Sequence, residues 1–236
     1  MIVNTRYVVF AAAVFASLYS PASYSRVVAA PTPVNVNMAD GAGDTPLMLA
    51  TTDSDMVRFT ALIDAGADVN ARNKAGDTPL LLAPNANYVK TLIKAGANVN
   101  EAGVNGDTPL MLATTDSDMA SFKALVAAGA DVNASNKAGD TPLLLAPNAN
   151  YVKALIKAGA NVNEAGANGD TPLILATTDS DMASFNALIA AGADINAKNK
   201  VGDTPLLLAP NAYFVKALID AGTGTKSANN KTGKSN

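Results

Sequence analysis

"GDTPLLLAPNANYVK" occupies residues 76–90, and "GDTPLMLATTDSDMVRF" occupies residues 43–59. Both open on the same tetrad and end in an apolar segment, but the first reaches it three residues sooner. Gly-Asp-Thr-Pro begins at Gly43, Gly76, Gly106, Gly139, Gly169 and Gly202, at intervals of 33, 30, 33, 30 and 33 residues. The true period is therefore a pair of 63 residues, a long unit followed by a short one. Self-similarity on this scale marks a solenoid, in which each unit buries its apolar face against its neighbours.

A long unit can be read physically from Gly43 to Ala75. Thr45 before Pro46 is a helix start, with a capping hydroxyl and a proline whose missing N–H is not needed there. Leu47, Leu49 and Ala50 predict a short apolar helix. "TTDSD" breaks it, and Asp53 or Ser54 is expected to cap a second helix. Met56, Phe59, Leu62 and Ile63 follow at three- and four-residue spacing, which predicts one buried face. Gly66 is expected to end that helix in a left-handed cap, and "ADVNARNKA" to run extended into a turn.

Residue for residue, this resembles the ankyrin repeat: Gly-x-Thr-Pro-Leu, two antiparallel helices, Gly-Ala-Asp-Val-Asn and a projecting turn, repeated six times from Val36 to Gly222. The resemblance implies an all-α solenoid of six helix-turn-helix repeats with projecting β-turns. Two departures stand out. Where the family usually has His after Thr-Pro-Leu, this chain has Met48, Leu81, Met111, Leu144, Ile174 and Leu207, so apolar packing must replace a hydrogen bond to the threonine. In the short units, the missing residues fall between the helices. Pro84 is expected to end the first helix about a turn early and Asn85 to cap the second. The edge opposite the turns should then be notched, with the long loops 51–55, 114–118 and 177–181 as ridges about 20 Å apart.

Composition narrows the function. There is no Cys and no His, so thiol chemistry, the commonest general base and the commonest zinc ligand are absent. No nucleophile–base pair can be named, and the G-x-S-x-G, S-x-x-K and phosphate-loop patterns are missing. The Asp53–Asp55 triplet lacks the further oxygens, glycine and terminal Glu of a calcium loop. The chain reads as a non-enzyme with no catalytic, cofactor or metal residues. All 20 acidic residues lie between Asp40 and Asp220, with 12 of the 17 Lys and Arg, a balance of −8. An acidic body argues against nucleic acid and fits solubility or a basic partner equally well.

Residues 1–25 have the order of a secretory signal peptide: Arg6, an apolar run from Tyr7 to Leu18, then small residues at Ser20, Ala22, Ser23 and Ser25. The expected division is signal peptide 1–25, linker 26–35, repeat domain 36–222 and a disordered, polar, basic tail 223–236. Cleavage before Val34 would leave no stable membrane span and an exported protein, periplasmic or secreted.

The family resemblance places partner contacts on the turn tips and the start of each first helix. The matching residues are Asp44, Lys74, Ala75, Asp77, Val104, Asn105, Asp107, Lys137, Ala138, Asp140, Ala167, Asn168, Asp170, Lys200, Val201 and Asp203. On the long loops, Thr52, Asp53, Thr115, Asp116, Thr178 and Asp179 extend the surface. The six stacked Asp residues also sit where charge favours a helix N-terminus. Arg58, Ser121 and Ser184 differ between copies and read as solvent-facing. The implied function is protein binding; the alternative is a self-assembling structural protein with weak head-to-tail association.

Overall fold

The computed structural model describes residues 35–231, with side-chain surroundings given to Thr223. The expected signal peptide lies outside the described residues, as does the linker apart from Asn35. Ten helices are described: α1 Pro46–Thr52, α2 Met56–Asp64, α3 Ala86–Lys94, α4 Pro109–Thr115, α5 Met119–Ala127, α6 Ala149–Lys157, α7 Pro172–Thr178, α8 Met182–Ala190, α9 Pro205–Leu208 and α10 Ala212–Lys231. There is no strand among the described residues.

Each repeat starts as its sequence dictates. The hydroxyls of Thr45, Thr78, Thr108, Thr141, Thr171 and Thr204 each accept the N–H three residues on, at 3.3 Å. The residues at the usual His position are buried in the long repeats: Met48, Met111 and Ile174 have essentially no exposure. The second helix in each long repeat is capped by Asp55, Asp118 or Asp181, not by Asp53 or Ser54. Asp53 instead ends α1. Ser54 turns the chain at φ 56°, in the left-handed region that a non-glycine residue rarely adopts. Only from Asp55, beyond that turn, can a carboxylate reach back to the first free N–H groups of α2. Gly66 has φ 87° and closes α2 as expected.

The short repeats lose more than a turn. Residues 79–82 and 142–145 make a single turn rather than a helix, held by Leu82 N–H to the Thr78 carbonyl at 3.2 Å and Leu145 N–H to the Thr141 carbonyl at 3.1 Å. Repeat six manages the four residues of α9. Proline at 84, 147 or 210 removes a donor and restricts the residue before it. What remains is too short to repay helix nucleation. Asn85 and Asn148 do cap α3 and α6, accepting from Asn87 and Asn150 N–H at 3.0 Å.

One continuous core runs through the stack, with Phe59, Leu92, Phe122, Leu155, Phe185 and Leu218 buried within it. At the C-terminal end, α10 does not stop at Gly222 but continues to Lys231. The backbone expected to be disordered from 223 is helical over 223–231. Gly222 does not take the left-handed φ of Gly66, Gly96, Gly129, Gly159 and Gly192, which end the second helix in the other repeats.

Candidate binding surface

Two kinds of junction alternate along the stack. Where a long repeat meets the next short one, three contacts reinforce the joint. An aromatic pair meets edge to face: Phe59–Tyr88 at 4.7 Å, Phe122–Tyr151 at 5.0 Å and Phe185–Phe214 at 4.8 Å. The backbone N–H of Lys74, Lys137 and Lys200 bonds to the carbonyl of Ala42, Asn105 and Asn168 at 2.8–3.0 Å. Finally, Asn73, Asn136 and Asn199 each donate a side-chain N–H to Asp44, Asp107 and Asp170, at 2.7, 2.7 and 2.9 Å. The same three asparagines accept the N–H of Asp77, Asp140 and Asp203 at 2.8–2.9 Å.

Where a short repeat meets the next long one, the asparagine is replaced by Gly103 or Gly166. A Cβ built on Gly103 would lie 3.8 Å from the Asp77 carboxylate, and one on Gly166 3.7 Å from that of Asp140. No side chain bridges from these positions. The asparagine staples therefore lie within three 63-residue blocks, and the joints between blocks, 2|3 and 4|5, lack them. A second asparagine ladder crosses both kinds of junction: Asn70, Asn100, Asn133 and Asn163 accept N–H groups of the next repeat at 2.7–2.8 Å.

The expected acidic stripe is therefore two sets. Asp44, Asp107 and Asp170 each commit a carboxylate oxygen to a structural bond. Asp77 and Asp140 face glycine, and Asp203 begins the last described repeat, whose second helix continues to Lys231. At joint 4|5 this leaves a concavity of about 330 Å³ lined by Ala138, Asp140, Leu144, Gly166, Ala167, Asn168, Asp170 and Leu175. Five of these are residues that the sequence assigned to binding. At joint 2|3, Val104 stands in place of Ala167 and lies against Gly76. Arg72 also spans that joint, pairing with Glu101 and donating to the Ala102 carbonyl at 2.9 Å. The tips Lys74, Ala75, Val104, Asn105, Lys137, Ala138, Ala167, Asn168, Lys200 and Val201 are all exposed.

On the opposite edge, the notch takes the form of two equivalent clefts at the same joints. One of about 370 Å³ lies between Pro84 and Asp116–Asp118, and one of about 310 Å³ between Pro147 and Asp179–Asp181. On the long loops of this edge Thr52, Thr115 and Thr178 are exposed, their hydroxyls donating to carbonyls of their own helix at 2.9–3.0 Å. Asp53, Asp116 and Asp179 are exposed beside them. Partial burial works against the Asp118 carboxylate. Bonds from the Ser121 hydroxyl and from the Ser121 and Ala120 N–H groups, with Lys90 nearby, outweigh it and hold its pKa below the usual value. Asp181 repeats this with Ser184, Ala183 and Lys153.

Sequence reading placed Ser121 and Ser184 in solvent, but both are buried, at 3% and 4% exposure. They face the preceding short repeat across the cleft. Only Arg58, in the first described repeat, is exposed, and it lies 3.6 Å from Asp53. The asparagine staples were not anticipated either, although the alternation of Asn and Gly at 73, 103, 136, 166 and 199 is plain in the sequence.

A family model for ankyrin repeats in three copies matches residues 22–102, 55–136, 84–165 and 110–199. The chain belongs to the ankyrin repeat family. A crystal structure of an ankyrin repeat domain from Acinetobacter baumannii AYE is 36% identical in sequence, with a TM-score of 0.65 over 69% of this chain and 89% of that one. No curated protein matches. Ankyrin repeats generally mediate protein–protein interaction, and the fold is typically a non-enzymatic scaffold. Among the described residues, no helix is long and apolar enough to cross a membrane.

Proposed function

We propose that this ankyrin protein is exported and binds a basic protein partner on the face formed by its turn tips and first arms. The observation that carries this reading is the replacement of asparagine by glycine at residues 103 and 166. It leaves the carboxylates of Asp77 and Asp140 unstapled beside Leu81 and Leu144, an acid over an aliphatic floor. A lysine or arginine suits such a spot, because its stem is apolar and its head cationic. The clustering of negative charge in residues 40–220 would speed encounter with such a partner.

Export rests on the order of charge, apolar run and small residues in 1–25, with cleavage before Val34. N-terminal sequencing of the native protein tests it: a start between residues 23 and 34 supports export, and an intact Met1 opposes it. For binding, immobilised wild-type protein is compared with an Asp77→Asn, Asp140→Asn, Asp203→Asn variant as bait in lysate of the source compartment. The reading requires a basic protein retained by the first and lost from the second. Equal retention by both would overturn it.

A further inference from the structure

The last repeat leaves open a surface that the chain covers twice elsewhere. Leu80 and Leu143, at equivalent places in repeats two and four, are each 3% exposed, because a long repeat packs over them. Their counterpart Leu206 is 49% exposed and its neighbour Leu207 72%. Ile219 is 53% exposed, whereas Ile93 and Ile156 are half-buried. Solenoids usually end in a repeat with a polar outer face, and this one keeps Leu206, Leu207 and Ile219 at places where the interior short repeats are apolar.

The chain itself shows what fits such a surface: a long repeat offering its first arm and second helix. Its own first repeat has that sequence, with Asp53, Asp55 and Arg58 exposed, Leu49 and Leu62 half-buried and Ala50 fully buried. Pro46–Met56 is identical in sequence to Pro109–Met119, the segment that meets repeat two inside the stack. We infer that the C-terminal face of one molecule docks on the first repeat of a second copy, continuing the alternation of short and long units. The contact is heterologous, so it propagates rather than closes.

Arg58 sets its strength. At this position the interior joints bury Ser121 and Ser184, and Arg58 must bring a guanidinium and its Asp53 partner into the same joint. The clefts beside those serines, about 370 and 310 Å³, show that the joint has room for the longer side chain. Desolvating the charge makes the contact weaker than the interior ones.

Sedimentation velocity of the purified full chain over a wide concentration range tests this. The wild type should gain mass with concentration past the dimer. Leu207→Asp, a change at an exposed site, should be monomeric with an unchanged circular dichroism spectrum. Arg58→Ser, which restores the interior residue, should associate at lower concentration than wild type. A wild type that stays monomeric throughout would overturn the inference. So would association that stops at a dimer, or that is indifferent to Arg58→Ser, because a contact between two C-terminal faces would behave in that way.

Discussion

Asn136→Ala should be among the costliest changes to a half-buried polar residue in this protein. The side chain donates to the ionised Asp107 at 2.7 Å and accepts from Asp140 and Ala138 N–H at 2.9 and 3.0 Å. A bond to a charged group contributes about 1.5–3 kcal/mol and a neutral one about 0.5–1.5 kcal/mol. Water can reach this site in part, so the low end of each range applies, and the sum is about 2–3 kcal/mol. The loss falls on the joint between repeats three and four. Urea unfolding followed by circular dichroism would report it as a lower midpoint; a changed slope would show that one block had begun to open before the rest. Coupling to Asp107→Ala in a double-mutant cycle should be about 1–2 kcal/mol. A loss below about 0.5 kcal/mol, the scale of an ordinary surface change, would refute the claim that the asparagines staple the blocks.

The converse change, Gly166→Asn, should let the new side chain reach Asp140, whose carboxylate is 3.7 Å from a built Cβ; it should raise the urea midpoint and weaken partner binding, and binding that stays unchanged would argue against the concavity. Tyr88 and Tyr151 have buried hydroxyls with no protein partner, and Phe214 occupies the equivalent place, so Tyr151→Phe should be neutral or stabilise by up to about 1 kcal/mol in urea unfolding; a loss of that size would mean the hydroxyl is satisfied. The lowered pKa of Asp118 contributes stability that is fully present above the unfolded carboxylate value and is lost as pH falls through the folded value. Ser121→Ala removes the hydroxyl bond, so the Asp118 carboxyl signal should titrate at higher pH by NMR, and an unmoved midpoint would remove Ser121 as a cause.

Much of this structure was legible because local rules and global packing agree in a repeat protein. Thr-Pro starts, glycine stops and the Phe59 face are single-residue signals, each present in multiple copies. What escaped depended on neighbours in the next repeat. Asp55 caps α2 only because Ser54 turns left-handed, a geometry no propensity announces. Ser121 looks like a surface residue on its own helix and is buried by a short repeat whose lost helix opens the cleft around it. The acidic stripe was visible as spacing, but its division into stapled and open carboxylates depends on which residue, Asn or Gly, arrives from the following turn.

That division can be measured with two variants of equal charge. Asp77→Asn, Asp140→Asn, Asp203→Asn and Asp44→Asn, Asp107→Asn, Asp170→Asn each remove three negative charges, so long-range attraction falls equally in both. Fluorescence anisotropy of a labelled lysine- and arginine-rich peptide, titrated at several salt concentrations, compares them directly. The account predicts that the first variant stays as stable as wild type and loses affinity and salt slope, while the second loses stability and keeps more of the binding. Equal loss of affinity from both variants would contradict it.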